Sequence, residues 1–84
     1  MTKEFIQLRN EVNKIDNQII LLLKKRLKIV ERIKKFKLSR GMPFEDQLRE
    51  DQILDSKVEK SGLPRYFVKN LFSIIFKESK RIQR

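Results

Sequence analysis

The chain has 84 residues, 21 of them Lys or Arg against 11 Asp or Glu, a formal net charge of +10; this is one domain, residues 1–84, near the lower end of what buries a core unaided. The absence of cysteine and histidine excludes disulfides, thiolate nucleophiles, the usual zinc ligands and the imidazole base of a serine triad. The charge points to an anionic partner, whether nucleic acid, an acidic surface or an anionic small molecule, although a solvated face is the commonest reason for a lysine-rich helix.

The opening "MTKEFIQLRN" lacks the basic-then-apolar pattern of a signal peptide. No later apolar run approaches the roughly 18 residues of a membrane span, so a soluble cytoplasmic protein with no membrane partner is expected. Leu8, Val12, Ile15, Ile19, Leu22, Val30 and Ile33 follow helical spacing, with few strong breakers before Gly41 and Pro43. The pattern predicts a first helix from about Lys3 to about Ser39. Thr2 can cap its start, Glu4 suits its first turn, and Gly41 can supply the left-handed residue past its end. Beyond "RGMP", a shorter second helix is predicted from Glu45 to about Lys60, with Leu48, Ile53, Leu54 and Val58 as apolar positions. "SGLP" stops it: Gly62 suits the end of that helix and Pro64 the first turn of the next. A third helix of medium length continues to the C-terminus, with Val68, Leu71, Phe72, Ile75, Phe76 and Ile82 inward.

The fold class is therefore all-α, with one long, one short and one medium helix. At 1.5 Å per residue a helix of about 36 residues is roughly 54 Å long, whereas a compact chain of this length has a radius of gyration near 12 Å. The first helix must protrude from its own protomer. Its apolar stripe needs cover, and a second copy supplies it in an intertwined helical homodimer.

The same stripe contains two misfits. Continued past Leu22, the repeat lands on Arg26, Val30, Ile33 and Lys37, and the two cations differ by only about 20° around the helix. The second helix repeats the anomaly, with Glu50 one turn before Leu54 and Asp46 one turn before Glu50. In the third, Ser79 follows Phe72 and Ile75 on the inward stripe, and Gln83 lies one turn beyond it. Buried ions are costly unless paired or bound to a ligand. Taken singly, Arg26 and Lys37 can snorkel to solvent or pair with Glu50 and Asp46. Convergence on one pocket would explain all of them together.

The order of these motifs resembles the small all-helical chorismate mutases, whose three helices form intertwined dimers. "LRNEVNKIDNQIILLLKKRLKIVERIKKFK" is similar to that family's L-R-x-x-I-x-x-I-D pattern, followed by an arginine after L-L-x-x-R and a lysine eleven residues later. "MPFEDQLREDQIL" is similar to its P-x-x-D-x-x-R-E segment, and "LFSIIFKESKRIQ" to its closing L-F-x-x-I-I-x-x-S-x-x-x-Q. The resemblance covers nearly the whole chain. It implies a Claisen-type rearrangement of chorismate to prephenate in aromatic amino-acid biosynthesis, with no cofactor, metal or covalent intermediate.

By this resemblance, Arg26 and an Arg9 reaching across from the partner chain bind the two substrate carboxylates. Lys37 bridges a carboxylate and the ether oxygen, and Gln83 donates to that oxygen. Glu50, with Asp46 nearby, accepts from the ring hydroxyl, Arg49 holds that cluster, and Ser79 contacts a carboxylate. Asp16 matches the family's I-D pair and reads as structural. Read without the family, Arg9 and Arg49 are ordinary surface cations, Asp46 serves the first turn of its helix, and Ser79 bonds back to a helix carbonyl. The chain departs from the family pattern after Gln83, where the last helix usually runs several residues further, so a weakly held Gln83 is expected. No regulatory domain is recognisable in these residues, and feedback control within them is not expected.

Three rivals remain. An isochorismate-pyruvate lyase shares this fold and much of the pocket, but the Arg49-Glu50 pair matches the mutase. A basic nucleic-acid-binding module should display arginines and aromatics on an exposed face, yet six of the seven aromatic residues are Phe, several on apolar stripes; no nucleic-acid partner is expected. A pure dimerisation helix tolerates one polar core residue but leaves Glu50, Ser79 and Gln83 unexplained.

Overall fold

The computed structural model describes residues 2–43 and 47–83, of which Gln47 and Leu48 are described by backbone alone. These residues form three helices in chain order, α1 (Lys3–Arg40), α2 (Gln47–Ser61) and α3 (Arg65–Gln83). The expected start of the second helix at Glu45 lies outside the described residues, as does the candidate Asp46.

The helix ends follow local chemistry. The Phe5 amide donates to the Thr2 side-chain hydroxyl at 3.2 Å, satisfying one of the four amides a helix start leaves without partners. At the other end Gly41 adopts φ 64°, the left-handed conformation that costs other residues energy. Its amide and that of Met42 close back on the carbonyls of Leu38 and Lys37 at 3.5 and 2.9 Å, a Schellman ending. Gly62 makes the second left-handed turn, at φ 66°. Pro64, which has no amide to lose, accepts from the Phe67 and Val68 amides at 3.1 and 3.2 Å and starts α3.

Helix α3 packs against both α1 and α2. Val30 and Val68 are buried, and the Phe72 and Phe76 rings sit 5.8 Å apart in a tilted pair. Along α1 the covered positions are Leu23, Arg26, Leu27, Val30, Lys34 and Lys37, a helical face confined to its C-terminal half. Two inward assignments change in this protomer: Ile33 is 40% exposed and Leu71 44% exposed. Leu71 lies beside the covered face of α3, whereas Ile33 keeps the register of Arg26, Val30 and Lys37 and borders open space between the helices.

Residues 2–22 are exposed throughout. Leu8, Val12, Ile15, Ile19 and Leu22, the stripe that defined the first helix, are between 49% and 62% exposed. The protomer measures 58 × 24 × 17 Å with a radius of gyration of 16.8 Å, well above the ~12 Å of a compact chain this long. Half of α1 projects beyond the packed part.

Candidate active site

The helical periods bring one wall of each helix together around a cavity of about 430 Å³. Helix α1 contributes Arg26, Val30, Ile33 and Lys37, successive turns of one face, and the turn after it contributes Met42 and Pro43. Arg49, Glu50 and Ile53 come from the first turns of α2, and Phe76, Ser79, Lys80 and Gln83 from the end of α3. Six of the eight candidate residues, Arg26, Lys37, Arg49, Glu50, Ser79 and Gln83, thus line a single cavity.

Arg26 is held by two contacts from α3. Its Nη1 donates to Ser79 Oγ at 2.6 Å, and its guanidinium lies 5.8 Å from the centroid of the Phe76 ring, within cation–π range. Ser79 Oγ in turn donates to the Ile75 carbonyl at 2.9 Å. A hydroxyl can accept and donate at once, so the back-bond to its own helix and the bond to Arg26 coexist. Burial lowers the Arg26 pKa from its ordinary value, because desolvation disfavours the charged form. A guanidinium nevertheless keeps its proton in proteins, and here its neighbour is a neutral hydroxyl.

Glu50 meets a residue that sequence reasoning missed. Lys80 Nζ lies 3.1 Å from Glu50 Oε2, with the two side chains only 26% and 19% exposed. Lys80 follows Ser79 and stands one turn after Phe76 and nearly one before Gln83. That register was visible in the sequence, but one lysine among 21 cationic residues carried no signal of its own. Pairing of Arg26 with Glu50, one of the plainer readings, gives way to Arg26–Ser79 and Glu50–Lys80. Four cations, Arg26, Lys37, Arg49 and Lys80, therefore face the described part of the cavity with one carboxylate, Glu50. Such a lining suits a small molecule with more than one negative charge.

Gln83 is half-buried at the end of α3, and Lys34 Nζ donates to the adjacent Ile82 carbonyl at 3.2 Å. Arg9 stands apart, exposed on the projecting half of α1 with its guanidinium 4.7 Å from the Phe5 ring centroid. It lies about 26 Å along the helix from Arg26, so it does not reach its own chain's cavity. Asp16 is exposed on the same segment. No group of acidic residues that could hold a metal occurs among the described residues, and no helix there is long and apolar enough to cross a membrane.

Known proteins share this fold. A chorismate mutase from Thermus thermophilus superposes in one form with a TM-score of 0.88 at 28% identity, over 96% of this chain and 94% of that one. Its other form gives 0.85 at 29% identity, over 92% and 99%. A conserved hypothetical protein from Pyrococcus furiosus is 39% identical over the full length of both chains, with a TM-score of 0.81. A bifunctional chorismate mutase/prephenate dehydratase of Buchnera aphidicola is 32% identical over 96% of this chain, which spans only 22% of that relative's length. The sequence family described as chorismate mutase type II matches residues 8–84. That match takes in α2, α3, all but the first five residues of α1 and every wall of the cavity, and the chain belongs to the chorismate mutase type II family.

Proposed function

We propose that this chain, acting in the cytoplasm as a homodimer, converts chorismate to prephenate. The observation that carries the proposal is the single cavity where Arg26, Lys37, Arg49 and Lys80 converge with Glu50, Ser79 and Gln83. Chorismate is a dicarboxylate, and its rearrangement is intramolecular: the ether carbon–oxygen bond breaks as a carbon–carbon bond forms. No proton leaves and no covalent enzyme intermediate is needed. The protein's work is to hold a chair-like conformer and to meet the negative charge that grows on the ether oxygen.

In this reading Arg26 binds one carboxylate, with Ser79 and Phe76 fixing its guanidinium. Lys37 reaches from the last turn of α1 to a carboxylate and the ether oxygen, and Gln83 donates to that oxygen from α3. Glu50 accepts from the ring hydroxyl, and Arg49 steadies that side. Ser79 contacts a carboxylate only if its hydroxyl turns from the Ile75 carbonyl, so its first task is to orient Arg26. Arg9 comes from the partner, whose projecting α1 covers the exposed stripe and closes the cavity.

The test is to incubate the purified protein with chorismate, and separately with isochorismate, and identify products by proton NMR. Prephenate from chorismate is expected. Salicylate and pyruvate from isochorismate alone would instead make the chain a lyase, and consumption of neither would remove both activities.

A further inference from the structure

The last turn of a helix leaves its carbonyls without partners inside the helix and carries the negative end of the macrodipole. In α3 that turn ends in Gln83, whose side chain lines the cavity. A hydrogen-bond donor there must be aimed to within a fraction of an ångström. The structure supplies a support from another helix. Lys34 of α1 is half-buried and directs its ammonium to the Ile82 carbonyl at 3.2 Å, 48 residues away in sequence. A cation donating to a terminal carbonyl satisfies an orphan acceptor and opposes the dipole's negative end.

Lys34 also stands three residues before Lys37 on the same covered face of α1. Its bond thus ties the end of α3, where Gln83 sits, to the stretch of α1 that carries Lys37. The distance between these two donors then follows the packing of α1 on α3.

We propose that Lys34 is a positioning residue for the reaction: it clamps the last turn of α3 through the Ile82 carbonyl and so aims Gln83 at the ether oxygen beside Lys37. This rests on the mutase reading, in which Gln83 is the donor.

Lys34→Met keeps the aliphatic stem and removes the donor. It should lower kcat by roughly tenfold, a fraction of the ~10²-fold cost of misplacing a catalytic group, with KM changed by less than about twofold, since a carboxylate-binding role would move KM. Lys34→Arg should restore most of the rate. The exposed neighbour Lys35 supplies the control: Lys35→Met makes the same change of charge and should leave kcat unaltered. The deciding comparison is a double-mutant cycle. If Lys34 acts through Gln83, Lys34→Met should have no further effect on kcat in a Gln83→Ala background; an equal loss in both backgrounds overturns the proposal. Amide exchange in wild type and Lys34→Met, followed at Ile82 and Gln83, reads the clamp independently of turnover. Faster exchange in the variant supports it and unchanged protection overturns it, even if neither substrate is consumed. Failure of the mutase reading appears separately, as absence of prephenate from the wild-type protein.

Discussion

Arg26 is held by a serine, and that choice leaves its positive charge available to a ligand. A carboxylate in the place of Ser79 would have satisfied the guanidinium equally well and neutralised it. The arrangement also makes Arg26 removable, because Ser79 Oγ keeps its bond to the Ile75 carbonyl when the guanidinium is gone. Arg26→Ala and Lys37→Ala should each lower kcat/KM by roughly 10²–10³-fold, the scale of losing one preorganised donor. The far-ultraviolet circular dichroism and sedimentation of both variants should remain those of wild type. Turnover near the wild-type rate in either variant would remove that residue from the site. Arg26→Lys should recover only part of the loss, since an ammonium cannot donate in two parallel directions or stack on Phe76 in the same way.

At the scale of elements, the turn after α1 carries an energetic load that its exposure hides. Gly41 is left-handed, and a Cβ added there would meet nothing within 4 Å. Gly41→Ala should therefore cost only the backbone penalty, roughly 1–2 kcal/mol, read as a lower urea midpoint with an unchanged slope. The Schellman bonds end on the Lys37 and Leu38 carbonyls, and Met42 lines the cavity, so the same variant should raise KM modestly. In α3, Glu78 pairs with Arg81 one turn on. The hydrogen bond from Arg81 holds the Glu78 pKa below its ordinary value. A carboxyl whose folded pKa is depressed contributes stability above its unfolded pKa and loses it as pH falls through the folded one. Helicity at the end of α3, followed by amide exchange, should accordingly weaken on acidification below the ordinary carboxylate range. Glu78→Gln should abolish that dependence.

For the whole molecule, the deciding feature is the half of α1 that none of the described residues covers. Five large apolar residues at helical spacing, each about half exposed or more, form a stripe too long to leave in water. A dimer through this stripe would bring Arg9, which sits among those residues, to the partner's cavity. Leu22→Asp or Ile19→Asp should yield a monomer or a partly unfolded chain with little activity at micromolar concentration, checked by sedimentation and circular dichroism. A monodisperse dimer in both variants would place the interface elsewhere. The net charge of +10 acts at the same scale. If it draws the dianionic substrate inward, kcat/KM should fall as salt shortens the Debye length from about 10 Å at 0.1 M to 3 Å at 1 M, with kcat little changed.

The sequence alone determined the three helices and, apart from the start of α2, their ends, because those depend on neighbours a few residues apart. Thr2, Gly41, Gly62 and Pro64 set the boundaries through backbone conformations and bonds between groups no more than five positions apart. The misplaced Arg26, Lys37, Glu50, Ser79 and Gln83 were legible for the same reason: a helical period says which residues share a face. The length of α1 likewise showed that the chain would not close on itself. Which residue bonds which across helices was not legible, since it depends on the angle and depth at which α3 crosses α1 and α2. Only the tertiary structure decided that Arg26 meets Ser79, that Glu50 meets Lys80 and that Lys34 reaches Ile82. It also decided that Leu71 lies beside the packed face of α3 and that Ile33 borders the cavity. A shift of one residue on a helix is about 100° of rotation, enough to turn an inward residue outward with no mark in the sequence.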